Sequence, residues 1–245
     1  MLIFKGVDNM KPYERIAFMY DKDWGKFSSK YTNLISYVNE SQRYNPSTIL
    51  DIACGTGRLL GELHASGYTC TGLDLSEDMI NIARSNNPDI EFVISNMCSF
   101  SLNRRFDIIT CAFDSLNYLL TPLQVSVALN NINCHLNNEG YFIFDVNTPT
   151  LYEDRHFGVI DREFNGLKYR QVLEYDKVQR IGKTVFDFGN GESEEHLQKA
   201  YTNEDMEVFL NESGFRIVNA FKDFDLKARD EKAYKVIYIT KKVKY

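Results

Sequence analysis

Two carboxylates bracket a pair of glycines: Asp51 lies four residues before Gly55, Gly57 follows, and Asp74 closes the next apolar run. Gly55 and Gly57 carry no Cβ and adopt backbone angles closed to other residues, so a ligand can approach the main chain closely. A buried acid beside such a turn repels a pyrophosphate and suits a cationic or hydroxyl-bearing ligand. Asp74 is placed to accept hydrogen bonds from the two hydroxyls of a ribose. The pyrophosphate fingerprint G-x-G-x-x-G would need a third glycine where Leu60 stands. The chemistry implied is capture of a nucleoside that carries positive charge and no phosphate.

The elements that must position these groups can be read from the pattern around them. Ser47 to Ile52 is β-branched and apolar without polar alternation, as in a central parallel strand covered on both faces. From Arg58 the spacing predicts a helix through Leu59, Leu60, Leu63 and His64, stopping near Gly67. Strand, glycine turn and helix describe a pocket at the carboxyl edge of a doubly wound sheet. Further strands are predicted at Thr69–Leu75, Ile90–Ile94, Phe106–Phe113 and Tyr141–Val146. Ser76 reads as an N-cap with Glu77 and Asp78 in the first helical turn, and Thr121 to Gln124 as a capping box opening a helix to about Leu136. Asn138-Glu139-Gly140 reads as a turn. Ahead of the sheet, Phe27, Tyr31, Leu34, Ile35 and Val38 have amphipathic-helix spacing.

From 150 to 201 the pattern changes. Lys168–Val178 and Lys183–Phe188, punctuated by Gly182 and Asn190-Gly191, suggest antiparallel hairpins. Thr202 then caps a helix ending at Gly214, and Phe215–Phe224 and Lys232–Lys242 read as closing strands. The expected division is an N-terminal helical lid at 1–46, a Rossmann-like core at 47–149, an antiparallel insertion at 150–201, and the core's last helix and strands at 202–245.

The run D-I-A-C-G-T-G-R-L at 51–59, followed by G-L-D-L-S-E-D-M-I at 72–80, resembles motif I and the acidic loop of class I S-adenosylmethionine-dependent methyltransferases. The likeness extends from about Tyr20 to the last strand. It is closest to bacterial small-molecule enzymes of the methyltransferase domain 25 type, with Tyr20-Asp21 near the N-terminus. Ala53 stands where that motif more usually has glycine. The resemblance implies an α/β fold: a seven-stranded, mostly parallel sheet with an antiparallel last strand, helices on both faces and a small antiparallel lid. It implies a soluble enzyme that moves a methyl group from S-adenosylmethionine to nitrogen or oxygen of a small acceptor, leaving S-adenosylhomocysteine. The residues expected to hold the cofactor are Tyr20, Asp51, Ala53, Gly55, Thr56, Gly57, Asp74, Leu75, Met79, Asn96, Met97 and Phe113. Met79 resembles the residue packed on adenine, although core packing explains it equally well. An acid often stands at the Asn96 position, where the Asn oxygen can still accept the adenine amino group. Tyr20 and nearby Trp24 resemble a closing lid.

Asp114-Ser115-Leu116-Asn117-Tyr118 follows the fourth strand and should face the methyl group. Asp114 is a candidate to orient an acceptor or take its proton. Asn117, Tyr118 and Tyr152 are candidate acceptor contacts, and His196, alternating with Gln198 on a strand, is a candidate base or donor; loop caps and ordinary packing are the competing accounts. His64 and His135 read as helix residues without chemistry.

Composition agrees with this class. The chain has 245 residues, 44% of them hydrophobic and 25% charged, within the range of one large soluble α/β domain. A net charge of −6 disfavours a nucleic-acid partner. Five cysteines without C-x-x-C spacing read as reduced thiols of a cytoplasmic protein, and no metal-ligand cluster is expected. The first ten residues lack a long apolar run, so neither a signal peptide nor a membrane span is expected there. A monomer or homodimer is expected. Three rival readings stay open here: an NAD-dependent oxidoreductase, a non-catalytic S-adenosylmethionine-binding protein and a tRNA-modifying methyltransferase.

Overall fold

The computed structural model describes residues 9–10, 16 and 28–243, apart from 165, 190 and 225. Tyr20, Asp21, Trp24 and Phe27 lie outside the described residues. The chain runs β1 (Asn9–Met10), α1 (Ser28–Gln42), β2 (Thr48–Ile52), α2 (Arg58–Ala65), β3 (Thr69–Asp74), α3 (Glu77–Asn86) and β4 (Glu91–Ile94). It continues through β5 (Phe106–Cys111), α4 (Pro122–His135), β6 (Leu136–Asn147), α5 (Pro149–Arg155), β7 (Gly158–Phe164), β8 (Leu167–Asp176), β9 (Ile181–Gly189) and β10 (Glu192–Lys199). Helix α6 (Asn203–Glu212), β11 (Phe215–Lys222), β12 (Lys227–Ala228) and β13 (Lys235–Lys242) complete it.

The main sheet has the order β12-β11-β13-β6-β5-β2-β3-β4. Strands β2 to β6 pair in parallel, and β13 lies antiparallel between β6 and β11. The seven expected strands are all present, and two-residue β12 extends the edge. Side chains alternate between two dry layers. Leu50, Ile109, Phe142 and Phe144 meet Val125 and Leu129 of α4 and Met206 and Leu210 of α6. Ile49, Ile108, Tyr141 and Ile143 meet Tyr31 and Leu34 of α1, Leu60 and Leu63 of α2 and Ile80 of α3. Burial on both faces explains why these strands read as continuous apolar runs. It also makes Asp51, Thr110 and Asp145, all buried near the strands' carboxyl ends, conspicuous.

Gly72 in β3 shows how tightly these layers close. A Cβ there would sit 2.5 Å from the Phe92 ring of β4 and 2.8 Å from Cys54 Sγ, so only glycine fits.

Several expectations need correction. The Asn138-Glu139-Gly140 turn lies inside β6 as an irregularity: Phe106 pairs with Leu136 but Ile108 with Tyr141, and Glu139 has φ 69°. The second sheet, β1-β10-β9-β8-β7, has two strands beyond the expected hairpins. Edge strand β7 is exposed along most of its length, so its sequence lacks the alternation that would betray it. Strand β1 runs parallel to β10, pairing Met10 with Glu194, so the N-terminal segment is not only helical.

Gly72→Ala is expected to destabilise the fold by about 2 kcal/mol through overpacking. Urea unfolding checks this, and a loss below about 0.5 kcal/mol would contradict the close packing described.

Candidate functional site

Strand β2 lies between β3 and β5, where the sheet's order reverses, and its carboxyl end opens into the crevice this topology creates. The turn leaving it is left-handed at Ala53 (φ 55°), Gly55 (φ 54°) and Gly57 (φ 75°). At Ala53 this conformation carries strain that glycine would not. Neighbouring backbone and side chains hold the turn in place. Cys54 N–H donates to the Leu73 carbonyl at 3.0 Å. Asn86 and Asn87 Nδ2, at the end of α3, donate to the Thr56 and Gly57 carbonyls at 3.4 and 3.2 Å.

Asp74 joins this turn to the next strand. Its Oδ2 accepts the Gly55 N–H at 2.8 Å and its Oδ1 the Ser76 N–H at 2.9 Å. A carboxylate offers about four lone-pair directions, so capacity remains beside these backbone donors for a ligand hydroxyl. Burial pushes the Asp74 carboxyl up, and backbone N–H groups of Ser76, Gly55 and Leu75 pull the other way. Ser76 Oγ accepts the Met79 N–H at 3.3 Å and caps α3, which directs that helix's positive end at the same place.

A cavity of about 700 Å³ opens beside Asp74. Leu75, Met79, Ile94 and Met97 contribute apolar surface, with Asn96 beside them, and Ser115, Tyr118 and Gln124 also line it. Its charged lining residues are Asp74, Glu77 and Asp78, with no Lys or Arg among the described residues that line it. Such a lining repels a pyrophosphate.

Asp51 is buried behind the turn, where Thr110 Oγ1 donates to it at 2.6 Å. Burial pushes its carboxyl up to about 7; the Thr110 bond works against that and the Asp74 charge adds to it.

A second polar system lies at the carboxyl ends of β5 and β6. Phe113 and Asp114 are both left-handed, with φ 58° and 51°, which turns Asp114 toward β6. Lys235 Nζ donates to Asp114 Oδ1 at 2.9 Å and also to Asp145, which further accepts the Tyr31 hydroxyl. Burial alone would lower the Lys235 ammonium, but Asp114 and Asp145 hold it above its ordinary value. Burial and Asp145 together push the Tyr31 phenol well up. From the second sheet, Gln198 Nε2 donates to Asp114 Oδ2 at 2.6 Å, and Tyr152 donates to Gln198 Oε1 at 3.1 Å. Nearby, the Tyr118 hydroxyl meets His196 Nδ1 at 2.7 Å, and His196 Nε2 meets Glu194 Oε1 at 2.7 Å.

A family profile for methyltransferase domains matches residues 49–140. A methyltransferase-family protein of Geobacillus sp. (strain WCH70) is 31% identical, the match covering 94% of this chain and 99% of that one. The chain belongs to the class I S-adenosylmethionine-dependent methyltransferases. The fold agrees: an S-adenosylmethionine-dependent methyltransferase from Clostridium acetobutylicum ATCC 824 superposes with a TM-score of 0.83 at 24% identity, covering 95% of this chain and 99% of that one. The dTDP-3-amino-3,6-dideoxy-α-D-glucopyranose N,N-dimethyltransferase of Streptomyces fradiae is 39% identical over 53% of this chain and 52% of its own length.

The methyltransferase uses S-adenosylmethionine, which supplies an electrophilic methyl on a sulfonium when bound, and the residues present fit it. Asp74 has lone pairs left for the ribose, apolar side chains flank a space for adenine, and the acids suit a cation. An NAD-dependent oxidoreductase is set aside by family and lining alike.

Of the residues expected to hold the cofactor, Ala53, Gly55, Asp74, Leu75, Met79, Asn96 and Met97 line the cavity. Asn96 Oδ1 also caps Cys98 N–H at 2.8 Å, leaving one lone pair for a ligand. Thr56 is buried and Gly57 faces Phe92, so both shape the turn from behind. Phe113 packs on Tyr31 with ring centroids 5.5 Å apart. Tyr20 lies outside the described residues.

The acceptor-side candidates divide. Asp114, Tyr152 and Gln198 form one chain, and Tyr118 and His196 another. Asn117 needs correction as an acceptor contact. It is fully buried, its Nδ2 donates to the Asn147 and Lys199 carbonyls, and its Oδ1 accepts the Asn147 N–H. That side chain staples β6 to the second sheet. Lys235, Asp145, Thr110, Glu194 and the Asn86–Asn87 pair escaped the sequence reading. Only Glu194 had a readable signal, since Glu194, His196 and Gln198 alternate on one face of β10.

Because the folded Asp51 carboxyl lies above its unfolded value, its contribution to stability is full in acid and fades as pH rises through about 7. A cationic ligand favours the ionised form, so its affinity moves the opposite way. Calorimetry should show S-adenosylmethionine binding about tenfold more tightly at pH 8 than at pH 6, with Asp51→Asn flattening the difference. Equal pH dependence in both proteins would contradict this account.

Proposed function

We propose that this methyltransferase acts on an amino group of a small polar acceptor of the amino-sugar kind, held between the cavity and the second sheet. The observation that carries the reading is the charge of the cavity wall: Asp74, Glu77 and Asp78 line it without a Lys or Arg among the described lining residues. An acceptor approaching as an ammonium is attracted to such a mouth, and a polyanion such as tRNA is repelled. The Streptomyces fradiae relative, named for N,N-dimethylation of a dTDP-linked amino sugar, supports an amino group as the methylated centre.

In this reading Asp74 holds the ribose and Asp51 supplies negative potential from behind the turn. Leu75, Met79 and Met97 flank the adenine, and the 150–201 insertion chooses the acceptor. Tyr20, from the 1–46 segment, closes the pocket. Catalysis rests mainly on proximity and alignment, which supply about 7 to 11 kcal/mol in favourable cases. The five cysteines, all free thiols, suit a reducing cytoplasm, and the enzyme acts as a monomer or homodimer.

An acceptor panel tests the reading: free and nucleotide-linked amino sugars, simple diamines, phenols and bulk tRNA, each with S-adenosylmethionine. S-adenosylhomocysteine should form with at least one amine, whose mass rises by one methylene with the substituent on nitrogen. Transfer confined to phenols or tRNA would overturn it.

A further inference from the structure

We propose that Tyr118, backed by His196 and Glu194, is the proton acceptor for the methylated amine; this rests on the amine reading above. Three separate pieces of chain converge to build the relay. Tyr118 ends the 3₁₀ turn Ser115–Tyr118 after β5 and lines the cavity. Glu194 and His196 sit two residues apart on the buried face of β10. Ile16 N–H, from the N-terminal segment, donates to Glu194 Oε2 at 3.3 Å.

The bonding pattern assigns the protons. With Glu194 as a carboxylate, which can only accept, the proposal puts the ring hydrogen on His196 Nε2, 2.7 Å from Oε1. His196 Nδ1 is then an acceptor, and the Tyr118 hydroxyl 2.7 Å away donates to it. The Glu194 side chain is 0% exposed and that of His196 5%, with the Phe186 ring 5.2 Å from the imidazole. A carboxylate and an imidazole are poor choices for packing a buried strand face where apolar residues would serve. Aligned toward a tyrosine on the cavity wall, they have a use.

Asp114, the other candidate, is already engaged: Lys235 occupies one of its oxygens and Gln198 the other. It is a positioning residue that joins the second sheet to the core.

The step balances without an added reagent. An ammonium N–H proton passes to Tyr118 Oη as the phenolic proton passes to His196 Nδ1, giving an imidazolium with Glu194 as counter-ion. The freed nitrogen lone pair forms the N–CH₃ bond as the S–CH₃ bond breaks, its electron pair staying on sulfur. The relay returns its proton to water once product leaves. Ile16 donates to Glu194 and β1 pairs along β10, so these described residues adjoin the far end of the relay.

Two readouts test it. In protein carrying ¹⁵N-histidine, two-bond ¹⁵N–¹H correlation should show His196 as the Nε2–H tautomer, and Glu194→Gln should shift both ring nitrogens. With the best amine from the panel, Tyr118→Phe should lower kcat about 100-fold, with KM and S-adenosylmethionine affinity within about threefold of wild type. Should Glu194→Gln fail to fold, Tyr118→Phe, which keeps the ring, decides alone. An Nδ1–H tautomer at His196, or a Tyr118→Phe kcat within about threefold of wild type, overturns the proposal. If no amine is methylated, the amine reading falls and with it the transfer step, whereas the tautomer spectrum separately reports whether the relay is built as described.

Discussion

One carboxylate ties the nucleotide-binding half of the molecule together. Asp74 accepts one N–H from the glycine turn after β2 and another from the cap of α3. Without it, the left-handed turn at Ala53–Gly57 would still be tied to β3 by the Cys54 N–H bond to Leu73, but would lose the side-chain link that Asp74 makes from the turn to the start of α3. The carboxylate keeps capacity for a ligand hydroxyl where it lines the cavity. A group that organises its surroundings through backbone donors and still has capacity for ribose hydroxyls links fold to recognition directly. Asp51, behind the same turn, acts through the field alone, since Thr110 already accounts for its nearest hydrogen bond.

The polar system at the carboxyl ends of β5 and β6 depends on the join between two sheets. Lys235 on β13 bridges Asp114 and Asp145, and Gln198 and Tyr152 carry the connection into the second sheet. Asn117 adds a second fastening through Asn147 and Lys199. Gly182 permits it by lying so close to the Tyr152 ring that no Cβ would fit between them. The second sheet is thereby fastened to the segments that follow β5 and β6.

Legibility in the sequence followed the range of the interactions. The β2–turn–α2 unit and the end of β3 were readable because apolar runs, glycines and a terminal acid are local signals. So were the capping boxes at Thr121 and Thr202, whose reciprocal bonds form within four residues. Lys235 was not readable: its partners lie 121 and 90 residues away, and nothing near it in the chain marks it as a buried cation. Nor was β1, a two-residue strand that pairs with a strand far along the chain. At 138–140 the turn-forming residues keep a left-handed bend at Glu139 and have no partner in the β5 or β13 register, and β6 runs on from Tyr141 between those two strands. Asn117 was misread for a related reason: a polar side chain in a crevice loop resembles a ligand contact until its partners are known.

The central claim is that Asp74 reads the ribose of a phosphate-free, positively charged nucleoside. A crystal structure of the protein with S-adenosylhomocysteine measures this most directly. The account predicts both ribose hydroxyls within about 2.5–3.0 Å of the Asp74 oxygens, with Gly55 and Ser76 N–H still bound to them. Adenosine seated elsewhere, or an Asp74 turned from the ribose with the glycine turn intact, would contradict it.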